Sequence, residues 1–473
     1  MLFHRVDFLI FFAVVWLVYS VLEHRWQNRL LLAASTIFYG SWDWRFLGLI
    51  YLSAVIDYAA GWALTYHPRW RRWSLAATLC GNLGILGFFK YFDFFTESLN
   101  VFLGAFGLRA DLPTLHIIVP AGLSFYTFQT MSYTIDVYRG KTKACLHFPT
   151  FLLYVMYFPQ LVAGPVERAN SLIPRLEARR RLTWEHVSNG FWFILLGLFK
   201  KIAIADLCAE HVDKVFSDIG NASILKIAGA ATGFLFQLFA DFSGYTDMAV
   251  GVSLLLGIQL SRSFRQPLLS TSLSDFWRRW NMTLTGWFRE YLYEPLKQRL
   301  PGQFGTDATL LLTFTLIGLW HGAKWTWVLW GVLTGFLIIA ERYTERGLGL
   351  PPAESLSGWR RVAYSGVRIP IAFYLVAIPA VFAFRLPSLG ELPPAAPPLG
   401  TLADLPLAWE RLFPWVNTFV LLLTVEAVGE WRKIWPTPGD FHPVTRYFLY
   451  LYMCLSILAA GGNLDVPYVY FQF

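Results

Sequence analysis

The stretch Ala308-Thr-Leu-Leu-Leu-Thr-Phe-Thr-Leu-Ile-Gly-Leu-Trp-His321-Gly-Ala-Lys324-Trp-Thr-Trp-Val-Leu-Trp-Gly-Val-Leu-Thr-Gly-Phe-Leu-Ile-Ile-Ala340 contains only two ionisable side chains, His321 and Lys324. About 20 apolar residues carry a helix across the hydrocarbon core of a bilayer. This run is longer than that, which predicts a tilted helix, a broken one, or two elements. Residues 227–260 form a second run of the same kind. Shorter apolar runs cover residues 7–22, 30–39 (extending into Trp42), 46–64, 75–89, 117–137, 148–162, 190–204, 369–384, 415–428 and 447–460. Several are too short for a full crossing and predict re-entrant or interfacial pieces. The expectation is an all-α polytopic membrane bundle of about 11–13 spans.

Composition agrees. Of the 473 residues, 56% are hydrophobic and only 15% charged, and the mean hydropathy is +0.45. A soluble domain of ordinary composition carries ~25% charge, so the outer surface here faces lipid. The 21 Trp and 22 Tyr suit interfacial belts. The net charge of +8 is assigned to basic loops and not to a nucleic-acid partner. The four cysteines, Cys80, Cys145, Cys208 and Cys454, have neither metal-site nor disulfide-framework spacing. Residues 1–22 mimic a signal peptide but lack a small-residue cleavage site and run directly into Glu23, so they read as the first spanning helix. There is no long internal repeat and no separate soluble domain. Residues 1–473 therefore read as one integral-membrane domain with an aromatic tail at 466–473. Pro387 to Pro406 reads as an extramembrane loop.

Basic clusters give an orientation. His24-Arg-Trp-Gln-Asn-Arg29 follows the first run, His67-Pro-Arg-Trp-Arg-Arg72 follows the third, and Arg175, Arg179, Arg180 and Arg181 lie together. The positive-inside rule places all three in the cytoplasm, and the N-terminus outside. Arg432, Lys433 and Arg446 precede the last run, which then leaves the C-terminal tail outside as well.

Three stretches carry polar groups at membrane depth. His321 lies 13 residues past Ala308 and 19 short of Ala340, near the middle of its run. An ionisable residue there is a functional candidate, although a hydrogen-bonded core histidine fits the same position. Gly322 permits close approach of a backbone or ligand. Lys324, three residues on, falls on roughly the same helical face, where it would snorkel or hold the imidazole neutral by like-charge repulsion. Ser274-Asp-Phe-Trp-Arg-Arg-Trp-Asn281-Met-Thr-Leu-Thr-Gly-Trp-Phe-Arg-Glu-Tyr291 is amphipathic. It fits an interfacial helix with snorkelling arginines. It equally fits a site element bringing Asn281 near His321, with Trp280 beside it and Arg278, Arg279 and Arg289 available to phosphates. Phe239-Ala-Asp-Phe-Ser-Gly-Tyr-Thr-Asp247 sets Asp241 and Asp247 in an apolar run. Each would cost about 2.5–3.5 kcal/mol at the centre of a lone helix. They must face a partner or a polar cavity. They form either a structural network with arginines or, with Ser243 and Tyr245, the lining of a tunnel. Two Pro/Gly-containing stretches, Val119 to Gln129 and Phe158 to Arg168, mark helix breaks. Residues and spacing alone leave an enzyme, a transporter or flippase, and a scaffold subunit of an export complex all open.

The ordered set Phe88-Phe-Lys-Tyr-Phe92, Gly122 to Gly140 ending in Tyr133-Thr-Ile-Asp-Val-Tyr-Arg-Gly, Pro159 to Arg168, Gly197-Leu-Phe-Lys-Lys201, Asp241 to Asp247, Phe276 to Tyr293, Trp320 to Gly331 and Tyr468-Val-Tyr-Phe-Gln-Phe473 resembles the membrane-bound O-acyltransferase superfamily. The likeness is to its bacterial branch, which contains alginate and peptidoglycan O-acetyltransferases and a D-alanine transfer protein. The resemblance implies a helical bundle with a central funnel in the bacterial inner membrane. It implies His321 as the active-site histidine, with Asn281 as a second polar site residue. That second position is usually histidine in the bacterial branch and asparagine in others. Thr334 likewise stands where relatives often carry histidine. The resemblance further implies acetyl-CoA as donor, a lining that includes Trp320, Gly322 and Lys324, and Tyr470 as an acyl relay on the outer face. A periplasmic SGNH/GDSL-type partner would complete transfer to a polysaccharide. No permanently bound cofactor or metal is implied.

Overall fold

The computed structural model describes residues 1–108, 112–386, 398–400, 416–460 and 468. Among them there is no strand. Five helical stretches, 24–66, 68–105, 224–255, 358–385 and 443–460, are long and apolar enough to cross a membrane. The protein is an all-α polytopic membrane protein. Tyr470 and most of the Pro387 to Pro406 stretch lie outside the described residues. The chain divides into two compact units.

The first unit comprises residues 1–191 and 249–261. It holds α1 (Val6–Val21), α2 (His24–Asp43), α3 (Leu47–Tyr66), α4 (Arg71–Leu86), α5 (Phe92–Ala105), α6 (Leu123–Tyr138), α7 (Phe148–Met156), α8 (Phe158–Leu161) and α9 (Ala169–Glu177). Helix α1 exposes Ile10, Val14, Leu17, Val18 and Val21 while burying Phe8, Phe12, Val15 and Tyr19. An apolar row of that length on the outside belongs in lipid. Buried Asp57 on α3 is hydrogen-bonded by Thr78 (2.5 Å) and Asn82 (2.8 Å) of α4 and by Thr134 (2.7 Å) of α6. A buried carboxylate is tolerated when its lone pairs are filled this way, and it ties three helices together. Residues 117–122 are not helical, contrary to the expected span over 117–137. Gly122 sits at φ 73°, and a Cβ there would lie 2.6 Å from the Leu161 carbonyl oxygen. The run 148–162 breaks at Tyr157, as its Pro159 and short length predict. Glu167 accepts hydrogen bonds from the Ser261 backbone and hydroxyl, a structural role.

The second unit comprises residues 192–248 and 262–473. Two helices have residues in both units, α10 (Trp184–Lys200) and α12 (Ile224–Leu255). The others are α11 (Asp206–Phe216), α13 (Leu273–Arg279), α14 (Met282–Phe288), α15 (Glu294–Arg299), α16 (Gly302–His321), α17 (Trp325–Gly347), α18 (Gly358–Arg385), α19 (Val416–Arg432) and α20 (Pro443–Ala460). A π turn, Lys201–Ala205, joins α10 to α11.

The run 308–340 is a hairpin. Helix α16 stops at His321, Gly322 is extended (φ −153°, ψ 141°), and Lys324 is the extended residue before α17. The two helices lie antiparallel along a glycine seam. A Cβ on Gly318 would meet Gly331 at 3.1 Å, one on Gly331 would meet the Thr315 Cα at 2.9 Å, and one on Gly335 would meet the Leu311 Cα at 3.2 Å. Small residues four apart permit this approach, as in membrane helix pairs generally. The expectation that Lys324 shares a helical face with His321 is therefore wrong, because no helix connects them. His321 also sits at a helix end, not midway along a span. Counting from the ends of an apolar run fails when the run folds back on itself.

Candidate active site

Sequence places Trp320, His321, Trp327 and Trp330 within eleven residues, and the hairpin wraps them around the imidazole. The His321 ring stacks on Trp327 (centroids 5.3 Å, 20°) and meets Trp330 edge-on (5.4 Å, 87°) and Trp320 at 4.9 Å. Gly322 is what admits Trp327. A Cβ there would clash with the indole, reaching its Cγ at 3.0 Å. The close approach that glycine permits is thus filled by a side chain of the same hairpin. Trp327 also packs on Phe384 of α18 (4.3 Å).

His321 is half-buried and borders a narrow cavity lined by Leu235, Leu238, Phe276, Trp277, Trp280, Trp330, Val376, Ala380 and Phe384. Its volume of about 20 Å³ is room for one water. Apart from His321, the side chains lining it are aliphatic or aromatic, so the imidazole is the ionisable group of that lining.

Asn281 is placed differently. The stretch 274–291, for which a single interfacial helix is one of two readings, bends between α13 and α14 at Asn281, which adopts the left-handed conformation (φ 40°, ψ 55°). Asparagine tolerates this region better than most residues. The corner is pinned by backbone bonds from Met282 N to Ser263 O (2.7 Å) and from Arg265 N to Arg279 O (2.9 Å). Trp280 lines the His321 cavity, whereas Asn281 does not. The Asn281 amide nitrogen is buried with no hydrogen-bond partner among the described residues. Such groups are rare in folded proteins.

The three arginines diverge. Arg278 and Arg289 are exposed. Arg279 is buried and pairs with Asp275 (2.8 Å) and Glu430 (2.5 Å). Burial alone would lower its pKa, but these carboxylates raise it above the ordinary value. It is committed to the fold rather than available to a phosphate. Lys324 is exposed.

Asp241 and Asp247 are partnered by lysines, where the sequence suggested arginines. Lys200 Nζ lies 2.8 Å from Asp247 and 3.8 Å from Glu426 of α19. Lys201 Nζ lies 2.8 Å from Asp206 and 2.9 Å from Asp241. Of the tunnel candidates on the same stretch, the Ser243 hydroxyl is buried without a hydrogen-bond partner among the described residues, and Tyr245 packs edge-on against Tyr468 (5.0 Å). Tyr468 in turn faces Lys201, 4.7 Å from its ring centre. The partner role of Lys200, Lys201 and Glu426 was missed in the sequence. Its signal is three charged residues inside apolar runs, which the two aspartates had to match.

The sequence model of the family described as MBOAT, membrane-bound O-acyltransferase, matches residues 45–378. A probable alginate O-acetylase AlgI of Azotobacter vinelandii is 38% identical over 354 residues, covering 72% of this chain and 69% of that one. Its counterpart in Pseudomonas putida is 34% identical over the whole of both chains. A peptidoglycan O-acetyltransferase of Helicobacter pylori is 32% identical, covering 70% of this chain and 68% of its own. With a family match across most of its length and a helical membrane architecture to go with it, the chain belongs to the membrane-bound O-acyltransferase family.

Proposed function

We propose that the protein takes an acetyl group from acetyl-CoA at the cytoplasmic face of a bacterial inner membrane and passes it outward for O-acetylation of a polysaccharide, alginate-like in character. The single observation that carries this is His321, caged by three tryptophans and open to a cavity. The relatives, a probable alginate O-acetylase and a peptidoglycan O-acetyltransferase, support acetyl as the group and a polysaccharide as the destination. In the transfer, His321 accepts the proton of the acceptor hydroxyl as its oxygen attacks the thioester carbonyl. The C–O bond forms, the C–S bond breaks, and the proton passes to the departing thiolate. The Asn281 amide, which lies outside the cavity lining, would donate to the developing oxyanion once the lining has opened to admit the thioester. The cavity is too small for a thioester, so admission requires the rings lining it to move. Arg278 and Arg289, exposed and close in sequence to Asn281, are candidates for the phosphates of coenzyme A. Tyr470 would carry the acetyl group at the outer face, with both termini periplasmic, and an SGNH-type partner would deliver it to the polymer.

His321→Ala tests the reading. The variant should insert and unfold as the wild type does, while acetyl transfer from acetyl-CoA falls about 10²–10⁴-fold, the usual contribution of a general base. Full polymer acetylation by that variant would sink the proposal. So would passage of an intact donor across the membrane with no acetyl-CoA consumed, which is the transporter's signature. Tyr470→Phe should abolish transfer to the polymer while leaving acetyl-CoA binding intact.

A further inference from the structure

The turn between α3 and α4, Pro68–Trp70, and the first residues of α4 surround an open cavity of about 430 Å³ in the first unit. Pro68, Arg69, Arg71, Arg72 and Trp73 form most of its wall, and Tyr138 at the end of α6 closes it. One guanidinium is fixed. Arg71 Nη2 donates to the Tyr138 carbonyl oxygen at 2.7 Å, and its Cζ lies 5.5 Å from the Tyr138 ring centre. Arg69 and Arg72 are exposed. No acidic residue occurs between Asp57 and Asp93 or between Asp136 and Glu167, while Arg139, Lys141 and Lys143 follow Tyr138 directly. Cations gathered around one cavity repel one another, and an anion bound among them relieves that repulsion.

The surroundings specify which anion. Helices α3 and α4 belong to two of the stretches long and apolar enough to cross a membrane. The turn between them therefore lies where the chain leaves the hydrocarbon. Trp62, Tyr66, Trp70 and Trp73 are exposed around it (47%, 51%, 62% and 71%). Indole and phenol rings at such a level sit among lipid headgroups. A soluble phosphate would use the arginines but leave these rings unexplained. We propose that the cavity binds the phosphate of an anionic phospholipid from the surrounding bilayer. Arg71, oriented by Tyr138, is the fixed ligand. Arg69 and Arg72 close on the phosphate oxygens with the forked geometry that suits them, and Trp73 covers the glycerol region.

The test uses full-length protein in neutral detergent, titrated with phosphatidylglycerol or phosphatidylcholine and read by native mass spectrometry. Wild type should retain one phosphatidylglycerol at concentrations where phosphatidylcholine is lost. Arg69→Gln/Arg72→Gln, which keeps the Arg71–Tyr138 link, should weaken that retention by about 30-fold, the scale expected for two basic side chains at a membrane surface. Arg69→Lys/Arg72→Lys, which keeps the charge, should lose less than the glutamine pair. Three outcomes overturn the proposal: equal retention by wild type and the glutamine pair, no preference over phosphatidylcholine, or displacement of the lipid by millimolar coenzyme A or inorganic phosphate.

Discussion

Helix α12 and the α16–α17 hairpin begin as the same kind of sequence, a long apolar run interrupted near its middle by ionisable residues. One stays a single helix of 32 residues. The other folds back at Gly322. In α12 the charged residues near the middle are Asp241 and Asp247, and each meets a lysine of the segment around the α10–π turn junction. Once paired, a buried charge places no demand on the backbone. In the hairpin no carboxylate among the described residues forms an ion pair with Lys324, which is exposed at the bend. Glycine at 322 and the seam of Gly318, Gly331 and Gly335 let the two arms close. A charge inside an apolar run is thus accommodated either by a partner or by a turn, and only the turn leaves a histidine at a helix end beside a cavity.

Removing a partner from α12 should have the largest effect. Lys200→Met leaves Asp247 and Glu426 buried without their cation, and breaking a buried pair in this way costs about 3–5 kcal/mol. Thermal unfolding in detergent should fall steeply, and most of the loss should return when Asp247→Asn and Glu426→Gln are added. An unchanged unfolding temperature for the single variant would mean that the pair does not hold α12. Next comes the seam. Gly331→Leu forces the arms apart where the Thr315 Cα is already close, an overpacking loss of about 1–3 kcal/mol. The same substitution at Gly347, where a Cβ would meet nothing within 4 Å, serves as the control and should be near neutral.

This contrast also marks how far the sequence could be read. The apolar runs predict several of the long helices to within a few residues, because hydrophobic length is a local property, whereas α5, α11 and α13 to α15 correspond to no such run. Runs 7–22 and 46–64 became α1 and α3. The break at Tyr157 was legible through Pro159. The candidate histidine was legible as an ionisable residue in the wrong solvent. Its surroundings were not. Which helix face meets which depends on the seam glycines, whose close approach appears only once the run is known to fold back. For the same reason Lys324 looked like a neighbour of His321 on one face. The lysine partners of Asp241 and Asp247 lie 40 and 47 residues away in sequence, beyond the reach of periodicity.

A smaller effect is expected at the bend itself. Gly322→Ala places a methyl group against the Trp327 indole, and Trp327 is the ring stacked on His321. The stability loss should be modest, about 1 kcal/mol. Acetyl transfer should drop by more than that implies, toward 10²-fold, because a shift of about 1 Å in a catalytic group has that consequence. Unfolding temperature and turnover measured on the same preparation separate the two effects. A parallel fall in both would reduce Gly322 to a packing residue.

The smallest effect belongs to Lys324→Gln. Helix α17 starts just after this residue, and its side chain is in the open. Surface substitutions of this kind change stability by less than about 0.5 kcal/mol, an order of magnitude below the loss expected at Lys200. Equal charge and comparable apolar surroundings in sequence thus lead to opposite outcomes, because one lysine is enclosed with two carboxylates and the other has turned out of the run. Acetyl transfer should also persist, since no shared helical face brings the ammonium to the imidazole. If Lys324→Gln lost transfer while its unfolding temperature held, and the pH at which transfer is half-maximal moved upward, the lysine would be keeping His321 neutral after all. The hairpin would then supply a charge to the chemistry, and the difference between the two runs would lie in what each charge does rather than in how each is buried.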